Sequence, residues 1–509
     1  MNRRRSHWSN WALLHITLKL IVTHNPLLIV DSEADEMTDY QSSKSRPKVI
    51  ILGAGFAGLN AGKTLGSAPV DVTIIDRNNH HTFHPLLYQV ALAVLSPGDI
   101  AQPIRSILSN HNNLEVLMEE ACQIDVVTQT VGLKTGIKLP YDFLIVATGS
   151  THSYFGKDEW SGIAPGLKTI EDATEIRRRV LLAYELAERQ MVETGAHAPL
   201  KFVIIGGGPT GVELAGAISD IANLYMLRDF RHIDTSSTEV CILEGSPSIL
   251  AAYPEELRQK AVHQLEALGV QVRTGFHVTD VQPGYVMVGS ERIESACTLW
   301  AAGVQGSPLG RMLGLDVDKR GRVPVDEFLN PKGLPNVFVC GDLAYLEQDG
   351  TAIPGVAQPA MQMGAYAGRR IKHLVQTPGV ATNLPGFRYF DKGDIATIGR
   401  KAAVAKILWP FRANWSGLFA WLTWMGVHIF FLIGFRNRVS VFVSWARTYI
   451  RLRDGVRLIV GSRELPGWDS LSKETMPAPE PEVCPTPTQN DTESSRGTTL
   501  SNLATPGRR

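Results

Sequence analysis

The sequence has 509 residues, 44% of them hydrophobic and 20% charged, a composition that predicts a folded protein with several domains. Lysines and arginines number 50 and acids also number 50, so the zero net charge gives no indication of nucleic-acid binding. The 5 cysteines are scattered, without a Cys-x-x-Cys or Cys-x-x-x-x-Cys pair. This pattern argues against a metal site, a disulfide framework or a dithiol redox pair. Any redox chemistry must therefore reside in a bound cofactor.

Residues 1–46 are expected to form an extension outside the fold. Three arginines at 3–5 precede an apolar stretch that His15, Lys19 and His24 interrupt. A signal or transit segment is one interpretation. The other, which the short polar lead into the first strand favours, is that Met37 is the true start.

The first chemical motif begins at Lys48, where a β-branched run leads into Gly53-x-Gly55-x-x-Gly58 and then a helix-forming segment. Gly53 is expected to make the tight turn, Gly55 to let a pyrophosphate approach the backbone, and Gly58 to let helix and strand pack closely. The next predicted strand ends in Asp76, where an acid can take ribose hydroxyls. Strand, triplet, helix, strand and acid in this order predict a dinucleotide site.

Three later segments are expected to complete this site. Residues 80–90 carry several histidines without metal-ligand spacing and are predicted to form a polar loop over the cofactor. A buried-type strand ends in Thr148-Gly149, a small turn that lets backbone approach a nucleotide. A late strand finishes on Asp342, an acid that can reach a ribose or ribityl hydroxyl from the far side of the sheet.

The opening pattern repeats after a charged amphipathic helix over 171–189, which is predicted to be a solvated connector. The second triplet is Gly206, Gly208 and Gly211, and its acid strand ends in Glu244. An internal duplicate of this kind predicts two nucleotide sites. Because a carboxylate at that strand end repels a 2′-phosphate, the sequence predicts NADH rather than NADPH.

Together with both glycine motifs, three further motifs make the chain resemble type II NADH:quinone oxidoreductases (alternative NADH dehydrogenases) of the two-dinucleotide-domain flavoproteins. They lie at 83–90, at 357–364 and at 389–393 with 398–400. The resemblance implies an α/β fold with two Rossmann-like domains and a membrane-anchoring helical segment. The implied division is an FAD domain at 47–165 and 310–375, an NADH domain at 166–309, a C-terminal anchoring region at 376–462 and a disordered tail at 463–509.

The resemblance also implies hydride transfer from NADH to FAD, followed by two-electron reduction of ubiquinone or menaquinone. Gln358 and Gln362, spaced i and i+4, are expected to face the quinone beside the flavin, with Ala357 at the cofactor. Glu213 is expected in the first turn of the second nucleotide helix, where the helix dipole stabilises its anion. By resemblance, Lys392 approaches Glu213, and both are candidates for proton delivery.

The aromatic stretch from Gly417 to Phe435 is long enough to span a membrane, but its internal tryptophans, His428 and the turn at Gly434 favour a helix in the headgroup plane. The following arginine-rich segment suits anionic lipid. A buried hairpin, a dimer interface and a true span remain alternatives. The prediction is a peripheral, monotopic protein on the cytoplasmic face of the inner membrane. The family resemblance implies a homodimer. No series of ionisable residues crosses several apolar spans, so no proton pumping is expected.

Other classes share these features. A soluble FAD/NAD-dependent reductase has both glycine motifs, but it lacks the aromatic C-terminus and many examples need the missing cysteine pair. A sulfide:quinone oxidoreductase needs cysteines near the flavin, and Cys122, Cys297 and Cys340 offer no adjacent pair. A non-enzymatic flavoprotein that senses NADH is the third alternative.

Overall fold

The computed structural model describes residues 46–196, 199–377, 384–451 and 455–468. The predicted N-terminal extension, the start at Met37 and the greater part of the predicted tail lie outside these residues. The predicted tail begins at 463, and its boundary stays a prediction. Of the described residues beyond that point, Leu465 and Trp468 are buried, whereas residues 463, 464 and 466 are exposed.

The first sheet has five parallel strands, with the strand that precedes the first glycine motif at its centre. Their order across the sheet is Val337–Val339, Phe143–Val146, Lys48–Leu52, Asp71–Asp76 and Leu114–Met118. The edge strand comes from almost 200 residues further along the chain than its neighbour and pairs with it in parallel. Because all five strands run the same way, their carboxyl ends lie at one edge of the sheet. This edge carries the glycine turn, Asp76, Thr148 and Asp342.

The second sheet repeats this arrangement with four parallel strands. Their order is Val270–Thr274, Glu239–Glu244, Lys201–Ile205 and Cys297–Trp300. The central strand again precedes a glycine motif, and its neighbour again ends in an acid. The predicted α/β class with a duplicated dinucleotide-type unit is therefore confirmed.

Helices cover both sheets and form the C-terminal part. Their bounds are Phe56–Leu65, Leu87–Ala91, Pro97–Ile100, Ile104–Leu108, Ile170–Thr194, Pro209–Asp220, Glu255–Ala267, Ala357–Gln376, Leu418–Phe431 and Phe435–Arg451. Smaller antiparallel sheets lie between them, formed by His80–Thr82 with Ala101–Pro103; Ala121–Asp125, Thr130–Leu133 and Lys138–Pro140; Ser150–His152 with Val304–Gly306; Asp280–Gln282, Tyr285–Val288 and Glu291–Glu294; Glu347–Gln348 with Thr351–Ala352; and Gly393–Thr397, Ala403–Ile407 and Ala413–Ser416. Val323–Pro324 pairs in parallel with Ala344–Tyr345.

The helix Ile170–Thr194 is part of the core, so the prediction of a solvated connector is wrong. Its Arg177 is 5% exposed and donates to the backbone oxygens of Val90, at 2.6 and 2.9 Å, and Leu95, at 3.1 Å. The next two arginines are also buried, and both bond to Glu175. These arginines suggest a solvent-exposed helix, but they are paired inside the protein with carbonyl oxygens and with Glu175. The sequence of the helix alone does not show those partners.

Residues 80–90 are likewise ordered and largely buried rather than a polar loop. His81 is 2% exposed, and its Nδ1 lies 2.9 Å from the carbonyl oxygen of Ala54 in the first glycine motif. Burial lowers the pKa of His81 to about 4, so the ring is neutral. This segment therefore packs directly against the turn that it was expected to cover.

The two C-terminal helices are joined by a short turn at Leu432–Gly434. None of the described helices is both long enough and apolar enough to cross a bilayer. In the second helix the residues at Asn437, Val441 and Trp445 are buried, and those at Phe435 and Phe442 are exposed. This spacing gives the helix one face toward the protein and one apolar face toward the outside.

Candidate functional site

The first glycine motif has the geometry that a pyrophosphate cradle requires. Gly53 has φ +93°, which disfavours other residues, and a Cβ there would lie 2.6 Å from the Ala147 carbonyl oxygen. A Cβ on Gly58 would lie 1.8 Å from the Gly53 carbonyl oxygen, so only glycine lets the helix start this close. Nothing lies within 4 Å of a Cβ on Gly55. Open space above the middle glycine is what a ligand at the helix N-terminus needs.

The second motif reproduces these relations. Gly206 has φ +112°, a Cβ on Gly211 would lie 1.9 Å from the Gly206 carbonyl oxygen, and Gly208 faces open space. Glu244 accepts hydrogen bonds from the Gly207 and Ser246 backbone N–H groups at 2.6 and 2.7 Å. In the first motif Asp76 does the same, accepting from Ala54 at 2.7 Å. Each acid thus stabilises its own glycine turn and keeps lone pairs for a ribose, so both motifs fit a dinucleotide.

A polar cluster lies where Thr148, Gly149 and Asp342 meet. Asp342 accepts from the Ser150 hydroxyl at 2.8 Å and lies 3.6 Å from the Lys168 ammonium group, which itself donates to Ser150 at 2.8 Å. The Thr148 hydroxyl is buried and has no partner among the described residues. Thr148 follows the strand that pairs with the one before Asp342, and its unpartnered buried hydroxyl fits a ligand rich in hydroxyl groups, such as FAD.

Ser150 and Lys168 were not identified from the sequence. Lys168 directly precedes the capping box formed by Thr169 and Asp172, a signal of a helix start rather than of a ligand site. Only the fold brings it to Asp342, which lies 174 positions further along the chain. The sequence signal that points to it is a lysine at the start of a helix that follows a nucleotide-type turn.

Helix Ala357–Gln376 lies against the helix of the first glycine motif, and Gly364 allows this contact. A Cβ on Gly364 would lie 2.0 Å from the Ala57 carbonyl oxygen. No side chain caps the helix N-terminus at Ala357, which leaves backbone N–H groups of its first turn for a ligand. The predicted cofactor contact of Ala357 stays a prediction, and this position is compatible with it.

Gln358 and Gln362 together hold one segment of backbone. Gln358 Nε2 donates to the Gly393 carbonyl at 3.0 Å, and its Oε1 is buried without a partner. Gln362 donates to the Phe390 carbonyl at 3.0 Å and accepts from the Phe390 N–H at 2.9 Å. We call this arrangement the glutamine clamp. The i, i+4 spacing puts both amides on one side, as predicted, but their described partners are backbone groups on either side of Lys392.

Glu213 lies one position beyond the first turn of helix Pro209–Asp220, and that first turn contains no acidic residue. The expectation that the helix dipole stabilises its anion is wrong, because burial outweighs it. Burial raises the pKa of Glu213 to about 8, and a backbone hydrogen bond from Thr397 acts in the opposite direction. The same helix touches Gly399, where a Cβ on Gly216 would lie 2.5 Å from the Gly399 nitrogen. The carboxyl is therefore protonated at neutral pH and can donate a proton.

The structure does not bring Lys392 and Glu213 together. Lys392 is exposed, with its ammonium nitrogen 5.7 Å from the Phe431 ring centroid. No salt bridge joins it to Glu213 in the part of the chain that the structure describes. Asp394 and the phenol of Tyr253 lie near this region, and burial raises the pKa of both; Asp391 also raises that of Asp394, whereas Lys406 lowers it. The proton-delivery role of each residue stays a prediction.

The cysteines give little support to the sulfide or disulfide alternatives. The four described thiols are free, and Cys241, Cys297 and Cys340 are buried. Burial raises the pKa of all three, to about 12 for Cys297, so these thiols are poor nucleophiles. Among the described residues, no group of three or more His, Cys, Asp or Glu side chains is arranged to hold a metal ion.

Comparison with known proteins decides the family. The model described as pyridine nucleotide-disulphide oxidoreductase matches residues 47–364, and that of the NDH2 C-terminal domain matches 392–454. Two type II NADH:quinone oxidoreductases of Mycobacterium tuberculosis, NdhA and Ndh, are 43% and 42% identical to the chain. The alignments cover 80% and 81% of this chain and 87% and 89% of the relatives. This chain belongs to the type II NADH:quinone oxidoreductase family.

A solved structure shows the same fold. NDH2 from Plasmodium falciparum, in complex with NADH, matches with a TM-score of 0.71 at 21% identity and covers 82% of this chain and 100% of that one. The sulfide:quinone oxidoreductase from Aquifex aeolicus shares the fold at a TM-score of 0.62 and 16% identity. The family resemblance drawn from the sequence, its oxidoreductase class and its FAD and NADH cofactors are thus confirmed. The fold alone does not separate these enzymes, so the mycobacterial relatives carry the distinction.

Proposed function

We propose that the chain oxidises NADH and passes two electrons through FAD to a membrane quinone, ubiquinone or menaquinone, without pumping protons. The observation that carries this proposal is the packing of the glutamine clamp's helix on the helix of the first cradle, while the segment that the clamp holds touches Phe431 of the first C-terminal helix. When bound, FAD supplies the two-electron carrier between donor and acceptor. The experiment is NADH-to-quinone turnover by purified, flavin-loaded protein. A flavin-loaded protein that does not reduce quinone would contradict the proposal.

The chain's own residues bind, orient and supply protons. The first cradle, with Thr148, Gly149 and Asp342, holds FAD, and the second, with Glu244, holds NADH. The FAD domain comprises 47–165 and 310–375, and the NADH domain comprises 166–309. Both cradles place the phosphates at helix N-termini, where N–H groups and the helix dipole stabilise negative charge. The prediction of NADH over NADPH rests on the fixed carboxylate of Glu244.

The glutamine clamp orients the segment Phe390–Gly393 at the acceptor side. Of the side-chain amide atoms of the two glutamines in the clamp, only Gln358 Oε1 has no described partner. Both the oxygen and the nitrogen of the Gln362 amide bond to the backbone of Phe390. Gln362 therefore acts as a positioning residue. A small rotation of the Gln358 amide would offer its N–H to a quinone carbonyl. Protonated Glu213 is the proton donor that this part of the chain provides, with Lys392 at the outer end.

The C-terminal region is the surface by which the protein binds lipid. Phe430 is 69% and Phe435 is 83% exposed, and exposed arginines at 436, 438 and 447 lie on the second helix beside them. Large exposed aromatics with arginine suit the headgroup region of an anionic bilayer. Flotation with anionic and with neutral vesicles tests this, and binding that is equal to both or absent from both would contradict it. The cytoplasmic face of the inner membrane is the proposed location.

A homodimer is the assembly expected from the family resemblance. Mass measurement of the detergent-solubilised protein by light scattering tests this expectation. A monomer at all protein concentrations would contradict it.

A further inference from the structure

A histidine on the first C-terminal helix contacts the segment that packs against the first glycine motif. His428 lies edge-to-face on Phe83, with ring centroids 6.1 Å apart and planes at 79°. Phe83 in turn contacts Phe56, the first residue of the helix after the glycine motif, at 6.0 Å. One turn further along, Phe431 contacts the ammonium group of Lys392. This turn therefore touches both the segment that packs against the first glycine motif and the segment that the glutamine clamp holds.

The hydrogen bonding of His428 leaves one ring nitrogen for a ligand. Nδ1 lies 2.6 Å from the Trp424 carbonyl oxygen, and because a carbonyl only accepts, Nδ1 carries the proton. Burial lowers the pKa of His428 to about 4, although the bond to Trp424 acts in the opposite direction, so the ring is neutral. Nε2 is then an acceptor, and within the described residues no donor reaches it.

The neighbouring indole supplies the opposite group. Trp424 is 2% exposed, and its ring centroid lies 4.5 Å from that of His428. Its Nε1–H is buried and has no partner in the described part of the chain, an arrangement that costs free energy unless something else accepts. One donor and one acceptor within a helical turn match a hydroxyl oxygen, which both donates and accepts. A carbonyl oxygen uses only the donor.

We propose that Trp424 and His428 form a hydrogen-bonding pair for the headgroup oxygen of the quinone and of its quinol product, with His428 Nε2 accepting from the quinol hydroxyl. This inference rests on the proposed function and names residues of that same site. His428 is half-buried, so a lipid-soluble molecule can reach its ring, and the exposed Val427 and Phe430 make the surface of the same helix apolar. Because Nε2 only accepts, it binds quinol and not quinone, whereas the indole N–H binds either. The pair therefore sets how tightly the product is held relative to the substrate.

The test is His428→Phe, which keeps a ring against Phe83 and Trp424 and removes the acceptor. Thr423→Val is the matched control, since it removes another side-chain bond to a backbone oxygen four residues earlier on the same helix. The inhibition constant of a short-chain ubiquinol is expected to rise about 5- to 10-fold in His428→Phe, the loss of one hydrogen bond. The KM for the matching quinone changes less than about twofold, and flavin reduction by NADH is unchanged. His428→Gln, which retains an acceptor, restores quinol binding.

Any of the following outcomes would contradict the assignment of Trp424 and His428 to the quinone and quinol headgroup. A ubiquinol inhibition constant that His428→Phe leaves unchanged, in an enzyme with normal quinone turnover, overturns it. A rise that Thr423→Val reproduces also overturns it, since the helix rather than the ring would be responsible. Trp424→Phe is a second, independent variant that is expected to weaken quinone and quinol by similar factors, and unchanged values would remove the indole from the pair. If the unsubstituted protein reduces no quinone, the proposed function fails first and the assignment with it.

Discussion

Replacing Glu213 with glutamine separates proton supply from electron transfer. The substitution keeps the size of the side chain and a hydrogen-bonding group but removes the titration. Burial holds the pKa of this carboxyl at about 8, against an ordinary value of 4.5. At ~1.4 kcal/mol for each tenfold change in the ionisation constant, the ionised form is disfavoured in the folded chain by about 5 kcal/mol. Glu213 is therefore an acid that stays protonated at neutral pH and ionises just above it.

The consequence for activity is a pH profile with a definite sign. The protonated fraction falls from about 90% at pH 7 to about 10% at pH 9 when the pKa is about 8. If Glu213 supplies a proton to the quinone, single-turnover reoxidation of the flavin by quinone slows about ninefold over this range. Flavin reduction by NADH transfers a hydride and is expected to stay flat. In Glu213→Gln the reoxidation is slower and independent of pH.

The stability of the fold also falls as pH rises. Because the folded pKa is raised, the folded chain binds the proton between 4.5 and about 8 while the unfolded chain has released it. The stability that the protonated Glu213 contributes is therefore fully present below pH 4.5. It falls as pH rises, and by pH 7 on the order of 3 kcal/mol has been lost. Glu213→Gln removes this loss, so its melting temperature should exceed the wild-type value at neutral pH and match it in acid. A wild-type reoxidation rate that is flat across this range, or an unchanged slope in the variant, would refute the reasoning.

Three further predictions follow from the site and the surface. Gln362→Leu removes both hydrogen bonds to Phe390 and should slow quinone reduction about tenfold or more while leaving flavin reduction by NADH fast in stopped flow; equal losses in both half-reactions would contradict the clamp's role. Glu244→Ser should lower the ratio of kcat/KM for NADH to kcat/KM for NADPH about tenfold. An unchanged ratio would show that Glu244 does not determine the preference for NADH. Phe430→Ser combined with Phe435→Ser should weaken binding to anionic vesicles by at least about tenfold, since each buried phenylalanine contributes ~1.5–3 kcal/mol; unchanged flotation would show that lipid binds elsewhere.

The sequence reveals the site wherever the chemistry is local. Gly53 and Gly206 could be located because the strand, turn and helix are consecutive, and the turn permits only glycine. The acids at Asp76 and Glu244 could be located because each ends the next strand. The hydrogen bonds that these acids accept from their own glycine turns could not be predicted, because the same sequence pattern fits an acid that contacts only a ribose.

Long-range contacts explain what the sequence did not reveal. The helix Ile170–Thr194 looks solvated because Arg177 is charged, yet its partners are carbonyls at Val90 and Leu95, more than 80 residues earlier. The sequence predicts a stabilised anion at Glu213 because position on a helix is visible in sequence, whereas the desolvation that raises its pKa depends on what packs over the carboxyl. The hydrogen bonds of Gln362 to Phe390 could not be foreseen, because Phe390 comes from a separate segment of the chain, and the predicted quinone contact of Gln362 stays a prediction.

The second C-terminal helix does more than face outward, and this decides how membrane binding should be tested. Trp445 donates its indole N–H to Gln89 at 2.7 Å, with both side chains buried, and Ser440 donates to Asp99 at 2.7 Å. These bonds hold the same segment that Arg177 holds from the core side. Deleting the C-terminal helices would therefore expose the buried Tyr88 and Gln89 that Trp424 and Trp445 cover, and would release a segment next to the flavin cradle. A truncated protein that lost quinone activity would not distinguish lost lipid binding from a disturbed site. Substitutions confined to the exposed face do distinguish them, because they leave the contacts of Trp445 in place.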